Sequence, residues 1–320
     1  MALGMLVEGK WTTDWVERDA SGRFNRMPTR FHHWITADGS SGFKAEAGRY
    51  HLYVSLACPW AHRTLMMRSL KGLENAVGVS IVDPILSEKG WQFSTAPGAI
   101  PDWVNGAEFL QELYVKAKPD YSGRVTVPVL WDKVTQTIVN NESRQIIRMV
   151  DTEFGGVAQS HWNLYPAELR DTIDLTMDAI YMPINNGVYR AGFATSQIAY
   201  EEAVTEIFEH LDHWESVLAN QRYLCGNHLT EADICMFTTL YRFDAVYYGH
   251  FKCNLKRIVD YPNLWNYVKD IYQVPEVKPT CNLDHIKRHY YGSHAQINPT
   301  GIVPKGPLIN FDQPHNRDRF

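Results

Sequence analysis

The sequence predicts a small α/β sandwich followed by an all-α helical bundle. Three observations predict it: between residues 49 and 154 the elements run βαβ, insertion, ββα; from Tyr165 onward the pattern is helical; and Gly155-Gly156 opens a polar, aromatic stretch between the two. A chain of 320 residues suits two cores, and its 45% hydrophobic and 21% charged residues describe a globular protein. The expected layout is an N-terminal extension over 1–48, an α/β domain over 49–154, a linker over 155–162, an all-helical domain over 163–284 and a C-terminal extension over 285–320.

Met1 to Gly48 is rich in Gly, Arg, Trp and His without periodicity, so it reads as a segment wrapped over a domain surface. Tyr50 to Leu56 is the first strand, Pro59 to Lys71 a helix with Leu65, Met66 and Leu70 inward, and Val77 to Val82 the second strand. Pro84 to Gly123 is an insertion with one short helix near Glu108 to Lys116, and a stretch this long is uncommon unless it is functional. Val127 to Asp132 and Thr137 to Asn140 form a hairpin, and a helix starts at Glu142-Ser143. This order is an α/β sandwich of the thioredoxin type. Four helices follow, over Asp171 to Tyr189, Tyr200 to Ala219, Glu231 to Tyr248 and Asn263 to Tyr272. Thr230-Glu231-Ala232-Asp233 is a capping box and directs folding of the bundle. His285 to Phe320 has little periodicity and should be ordered by packing on the rest of the protein or on a second subunit.

Cys58 ends the first strand, and Pro59 suits the first helical position because its missing N–H would be unsatisfied there anyway. Free backbone N–H groups and the positive end of the helix dipole then face the sulfur, which lowers a thiol pKa from about 8.5 towards roughly 4 to 7. A small buried hydrophobe is the competing reading of a free cysteine. The strand–turn–helix context favours a reactive thiol, at the strand's carboxyl end where open α/β sheets place ligands. Position 61 is alanine, so a C-x-x-C pair is missing and an oxidised Cys58 needs an external thiol.

Net charge −5 and a pI near 6.2 give no basic footprint for nucleic acid. No apolar run reaches the roughly 18 to 20 residues of a membrane span, Met1 to Lys10 lacks a signal-peptide layout, and the cytoplasm is the expected compartment. Cysteines 58, 225, 235, 253 and 281 form neither a disulfide framework nor a metal spacing, and no metal site is expected. The 10 Trp and 17 Tyr residues fill cores or wall a site for flat aromatic ligands.

Cys58 opening a helix, Val127-Pro128 entering a strand and Glu142-Ser143 opening a helix together resemble the glutathione site of the glutathione transferase superfamily. Cys58-Pro59-Trp60-Ala61-His62-Arg63, Trp91 in the insertion, Asn140-Asn141-Glu142-Ser143, Gly187-Val188-Tyr189, Gly192-Phe193-Ala194, Arg242-Phe243-Asp244, His250-Phe251-Lys252 and Asn298-Pro299-Thr300-Gly301 narrow the resemblance to the Xi class, the glutathionyl-hydroquinone reductases. It covers nearly the whole chain. It implies the glutathione transferase fold, a cis Val127-Pro128 bond, glutathione as co-substrate, glutathionylated quinols as substrates and a homodimer. Cys58 is then the nucleophile, and Trp91, Arg124, Val125, Thr126, Val127, Glu142 and Ser143 hold glutathione. Tyr189 moves protons at the quinol, while Tyr247 and Tyr290, each with a tyrosine neighbour at 248 and 291, hydrogen-bond near the thiolate or substrate.

A cysteine facing a glutathione sulfur favours thiol–disulfide chemistry over conjugation. Attack on the sulfur of a glutathionyl-hydroquinone would release the hydroquinone and leave a Cys58–glutathione disulfide for a second glutathione to resolve. A glutaredoxin-like or dehydroascorbate-reducing transferase also fits a lone Cys-Pro site, and a non-catalytic carrier of aromatic ligands fits the fold without needing a reactive thiol.

Overall fold

The computed structural model describes residues 4–13 and 19–320; within the expected N-terminal extension, positions 1–3 and 14–18 lie outside the described residues. The chain clusters into two compact units, one built mainly on Met27–Trp162 with Asp284–Gly301, the other on Asn163–Leu283 with Ile302–Phe320.

The first unit contains a four-stranded mixed sheet, in the order β4 (Gly78–Ile81), β3 (Tyr50–Val54), β6 (Val129–Asp132) and β7 (Thr137–Asn140), besides a smaller three-stranded one. The centre of the four-stranded sheet is β3, buried along its whole length because both faces are covered. β4 lies parallel to β3, while β6 runs antiparallel to β3 and to β7. α1 (Pro59–Leu70) and α3 (Ser143–Glu153) pack on each other, and the buried Lys71 ammonium just past α1 donates to Asp151 at 2.9 Å. This is the expected thioredoxin-type order.

Four elements escape sequence patterning. β1 (Met5–Val7) and β2 (Lys10–Thr12) form a hairpin in what reads as an irregular extension, and β1 pairs with the two-residue strand β5 (Gly123–Arg124). Strands of two or three residues leave no alternation to read. In the expected C-terminal extension, α9 (Leu283–Ser293) buries His285, Ile286, His289, Tyr290 and Ser293. That spacing is helical, but most of the face is polar or amphipathic, so an apolar count misses it. The insertion helix does form, as α2 (Leu110–Ala117).

His51 on β3 tests burial by pH. Its ring sits against Gly78, where an ideal Cβ would come 2.5 Å from Nδ1, and its Nε2 lies 2.9 Å from the Ser80 hydroxyl. Burial lowers its pKa to about 4, the Asp102 charge opposing only partly. Between pH 6.5 and 4 the unfolded chain therefore binds a proton that the folded protein refuses, so this contribution is complete above pH about 6.5 and lost as pH falls towards 4. Wild type is expected to lose about 2–3 kcal/mol more than His51→Gln between pH 7.5 and 4.5, measured by denaturant unfolding.

The second unit contains α4 (Arg170–Ile180), α5 (Gly187–Gly192), α6 (Gln197–Val217), α7 (Glu231–Arg242) and α8 (Pro262–Tyr272). Every residue of α7 is buried, making it the core helix. The capping box at its start forms as expected: Asp233 Oδ2 accepts from the Thr230 N–H and hydroxyl, both at 2.8 Å. Two expected helices are shorter than their pattern. The stretch from 171 to 189 breaks at a π turn over Tyr181–Asn185, where Pro183 lacks the N–H a continuous helix needs, and the stretch from 231 to 248 passes into a π turn over Phe243–Tyr247. Among the described residues no helix is long and apolar enough to cross a membrane, and no group of three or more His, Cys, Asp or Glu could hold a metal ion.

Candidate active site

Cys58 is the last extended residue before α1 (φ −77, ψ 123), and Pro59 takes the first helical position. The carbonyl of Cys58 accepts the first helical bond, from the His62 N–H at 3.0 Å. The half-buried side chain is directed at the sheet: Sγ lies 3.6 Å from the carbonyl oxygen of Val127, and the Val127-Pro128 peptide is cis. Burial pushes the thiols of Cys225 and Cys253 up, which keeps them protonated and inert. Cys58 is set apart from them by its helix terminus and its partial exposure.

Glu142 caps α3 as the sequence suggests. Its carboxylate accepts from the Arg144 N–H at 3.3 Å and from the Thr29 hydroxyl at 3.3 Å. Ser143 is buried, takes a 3.4 Å hydrogen bond from the Arg63 guanidinium, and donates to the Glu142 carboxylate at 3.5 Å. The same guanidinium lies over the Trp60 ring, 4.3 Å from its centroid. Arg63 thus couples the helix that Cys58 opens to the helix that Ser143 opens.

Tyr114, which sequence reasoning passes over, joins two of these segments. From the buried centre of α2 its hydroxyl donates to the Thr126 carbonyl (2.8 Å) and accepts from the Thr126 N–H (3.2 Å) and the Asn141 side-chain amide (3.0 Å). Asn141 in turn accepts from the Phe31 N–H at 3.1 Å. One phenol therefore fixes the backbone just before the cis peptide and the turn just before Glu142. A lone tyrosine inside a long insertion carries no signal of that role. Tyr114→Phe removes the partner of the buried Asn141 amide and of the part-buried Thr126 N–H and carbonyl, and is expected to cost about 1–3 kcal/mol, read as a lower denaturant midpoint with unchanged slope.

The remaining expected glutathione holders lie in the same unit. Val125 is buried and Thr126 half-buried, while the backbone of Arg124 is paired with Met5 and its carbonyl accepts from the Tyr121 hydroxyl at 2.9 Å. Trp91 stacks on His289 of α9, ring centroids 4.9 Å apart and planes 21° apart. His289 Nδ1 is 2.9 Å from the Pro84 carbonyl, which requires the proton on that nitrogen and holds the ring under the indole. Tyr290 is 1% exposed and meets His289 and His294 edge-on.

Tyr189 and Tyr247 lie together in the second unit. Tyr189, half-buried on α5, meets Tyr247 edge-on with centroids 6.0 Å apart, and both rings meet Phe251, Tyr247 by stacking at 5.6 Å. Of the pair at 247 and 248, Tyr247 is the fully buried ring that joins Tyr189. Each tyrosine is delivered by a π turn, one just after it and one within it. Gly192 permits the cluster: an ideal Cβ there would fall 2.2 Å from the Phe251 ring.

A helix-opening cysteine beside a cis-proline loop, with a carboxylate and a hydroxyl at a second helix start, defines a thioredoxin-type thiol site followed by a helical domain. The family described as glutathione S-transferase, N-terminal domain, matches residues 57–153, and the one described as glutathione S-transferase, C-terminal domain, matches residues 197–270. Glutathionyl-hydroquinone reductase YqjG of Escherichia coli is 53% identical, with 99% of each chain covered, and its glutathione-bound structure superposes with a TM-score of 0.92 at 52% identity, covering 99% of this chain and 100% of that one. Glutathionyl-hydroquinone reductase PcpF of Sphingobium chlorophenolicum is 50% identical over 95% of this chain and 96% of its own. A Xi-class glutathione transferase from Natrialba magadii gives a TM-score of 0.95 at 53% identity, covering 99% and 97% of the two chains. The chain belongs to the glutathione S-transferase family, on its Xi-class, glutathionyl-hydroquinone reductase branch.

Proposed function

We propose that this protein uses glutathione to reduce S-glutathionyl-hydroquinones to hydroquinones, with Cys58 as nucleophile. The observation that carries the reading is a half-buried thiol at a helix N-terminus, 3.6 Å from the carbonyl before a cis proline, with alanine where a resolving cysteine would stand. In the first step the Cys58 thiolate attacks the glutathionyl sulfur. The sulfur–sulfur bond forms, the carbon–sulfur bond breaks, and its electron pair passes through the ring to the carbonyl oxygen of the keto form, which takes up a proton to give the hydroquinone. In the second step a glutathione thiolate attacks the Cys58–glutathione disulfide, releasing glutathione disulfide and regenerating Cys58.

Carbon is a poor leaving group, so the first step needs a keto tautomer in which the ring carbon is already protonated. We assign Tyr189 to move the hydroxyl proton that interconverts these forms, with Tyr247 and Tyr290 as hydrogen-bonding neighbours of the reacting groups. Glutathione is held by backbone pairing at Val127, by the Val125-Thr126 segment leading to it, by Glu142 and Ser143 at the γ-glutamyl end, and by Trp91 and Arg124. The setting is the cytoplasm, where glutathione and protein thiols stay reduced. The working form is a homodimer, as the resemblance to the Xi class implies.

The test is turnover of glutathionyl-menadiol with glutathione, following both products. Menadiol and glutathione disulfide are expected in equal amounts. Dehydroascorbate reduction without menadiol release would replace this reading with the thiol-transferase one.

A further inference from the structure

We infer that the N-terminal hairpin belongs to the glutathione-holding apparatus, with Trp11 as a positioning residue that ties the turn carrying Trp91 to the strand carrying Arg124; this rests on the reading above. One end of the tie is backbone pairing. β1 lies antiparallel to β5 with Met5 opposite Arg124 and Leu6 opposite Gly123, and Leu6 is fully buried. The hairpin turn is seated on the chain leading into β5: the Glu8 N–H donates to the Ser122 hydroxyl at 2.8 Å and the Gly9 N–H to the Tyr121 carbonyl at 2.9 Å. Gly9 has φ +75, and an ideal Cβ there would come 2.1 Å from the Pro119 carbonyl oxygen, so this seat admits glycine alone.

The other end is an indole. Trp11 Nε1 donates to the Glu88 carbonyl at 2.9 Å, inside the tight turn closed by the Gly90 N–H donating to the Ser87 carbonyl at 3.1 Å. Gly90 (φ +87) rests on the indole so closely that an ideal Cβ would lie 2.8 Å from Cη2. The next residue is Trp91. A hydrogen bond and a close ring contact thus set where the turn before Trp91 sits, while paired backbone sets where Arg124 sits, and both pass through eight consecutive residues, 4–11. Trp91 is also held by the Leu110 N–H on its carbonyl (2.9 Å) and by the His289 ring, and Arg124 by the Tyr121 hydroxyl; without the tie the turn before Trp91 and the strand of Arg124 lose their shared anchor, and the freedom gained must be given up again on binding, which weakens affinity.

The test is glutathione affinity by calorimetry in a Cys58→Ala background, where no mixed disulfide can form. Trp11→Ala is expected to weaken binding about tenfold, and Trp11→Phe, which keeps a ring and loses the N–H, about threefold. Arg222→Ala removes the bidentate pair with Asp270 in the other unit and should lower Tm while leaving the affinity unchanged. A folded Trp11→Ala protein within twofold of its parent overturns the inference, as does equal weakening by Arg222→Ala. If Trp11→Ala does not fold, Trp11→Phe decides, and parental affinity in that variant overturns it. Failure of the Cys58→Ala parent itself to bind glutathione would overturn the functional reading and this inference with it.

Discussion

Cys58→Ser is expected to lower turnover of glutathionyl-menadiol by at least about a thousandfold. A serine hydroxyl at the same helix terminus can still hydrogen-bond a glutathione sulfur, but it cannot form a sulfur–sulfur bond. The loss should therefore fall on kcat rather than on substrate affinity. Mass spectrometry separates this from a binding defect: wild type mixed with substrate and no free glutathione should accumulate one glutathione adduct at Cys58, and the variant none. Undiminished turnover by the variant would remove Cys58 from the mechanism. A second measurement bears on why this thiol reacts: alkylation of Cys58 should keep its rate well below pH 8.5, because Cys58 stands at the N-terminus of α1, where the positive end of the helix dipole favours the thiolate.

Asp233→Asn is expected to destabilise the protein by about 3–5 kcal/mol, a fall in Tm on the order of 10 °C. The carboxylate is fully buried and faces donors on both oxygens: Oδ1 accepts from the Leu224 N–H (2.8 Å) and the Tyr267 hydroxyl (2.9 Å), and Oδ2 from the Thr230 N–H and hydroxyl. An amide puts an NH2 group against one of those donor pairs, so hydrogen bonds are lost and donors are left facing each other. The effect exceeds that of an ordinary helix cap, about 1 kcal/mol, because Asp233 also anchors the Leu224 loop and α8. Thermal unfolding of Asp233→Asn beside Thr230→Ala checks it: the Asn variant should lose clearly more, and equal small losses would reduce the site to a simple cap.

What the sequence made legible follows from where each signal lies. Cys58-Pro59, Val127-Pro128, Glu142-Ser143 and Thr230 to Asp233 are local punctuation, since proline, a helix-opening side chain or a capping box acts on its own few residues. These features fall where the residues indicate. The order of elements along the α/β domain followed for the same reason, from alternation and turn chemistry within short windows. What was not legible is held together over long separations. Tyr114 meets Thr126 and Asn141 through a hydroxyl that no periodicity marks, and Arg124 is paired to the fifth residue of the chain. α9 hid because histidine and tyrosine supply most of its inner face, and the two π turns hid because a helical pattern tolerates one extra residue without losing its apolar side. Local physics wrote the reactive group; non-local packing wrote its frame.

Gly192 carries a consequence for descent. With no room for even a methyl group between it and the Phe251 ring, positions 192 and 251 cannot drift one at a time: a larger residue at 192 survives only in a lineage that has already reduced 251. The reverse order passes through a void beside Tyr189 and Tyr247, which slackens both tyrosines before anything refills it. Either route has a valley between its ends. The two positions are therefore expected to change together across relatives or not at all, and diversification of the ring that this protein accepts must proceed through side chains outside that pair.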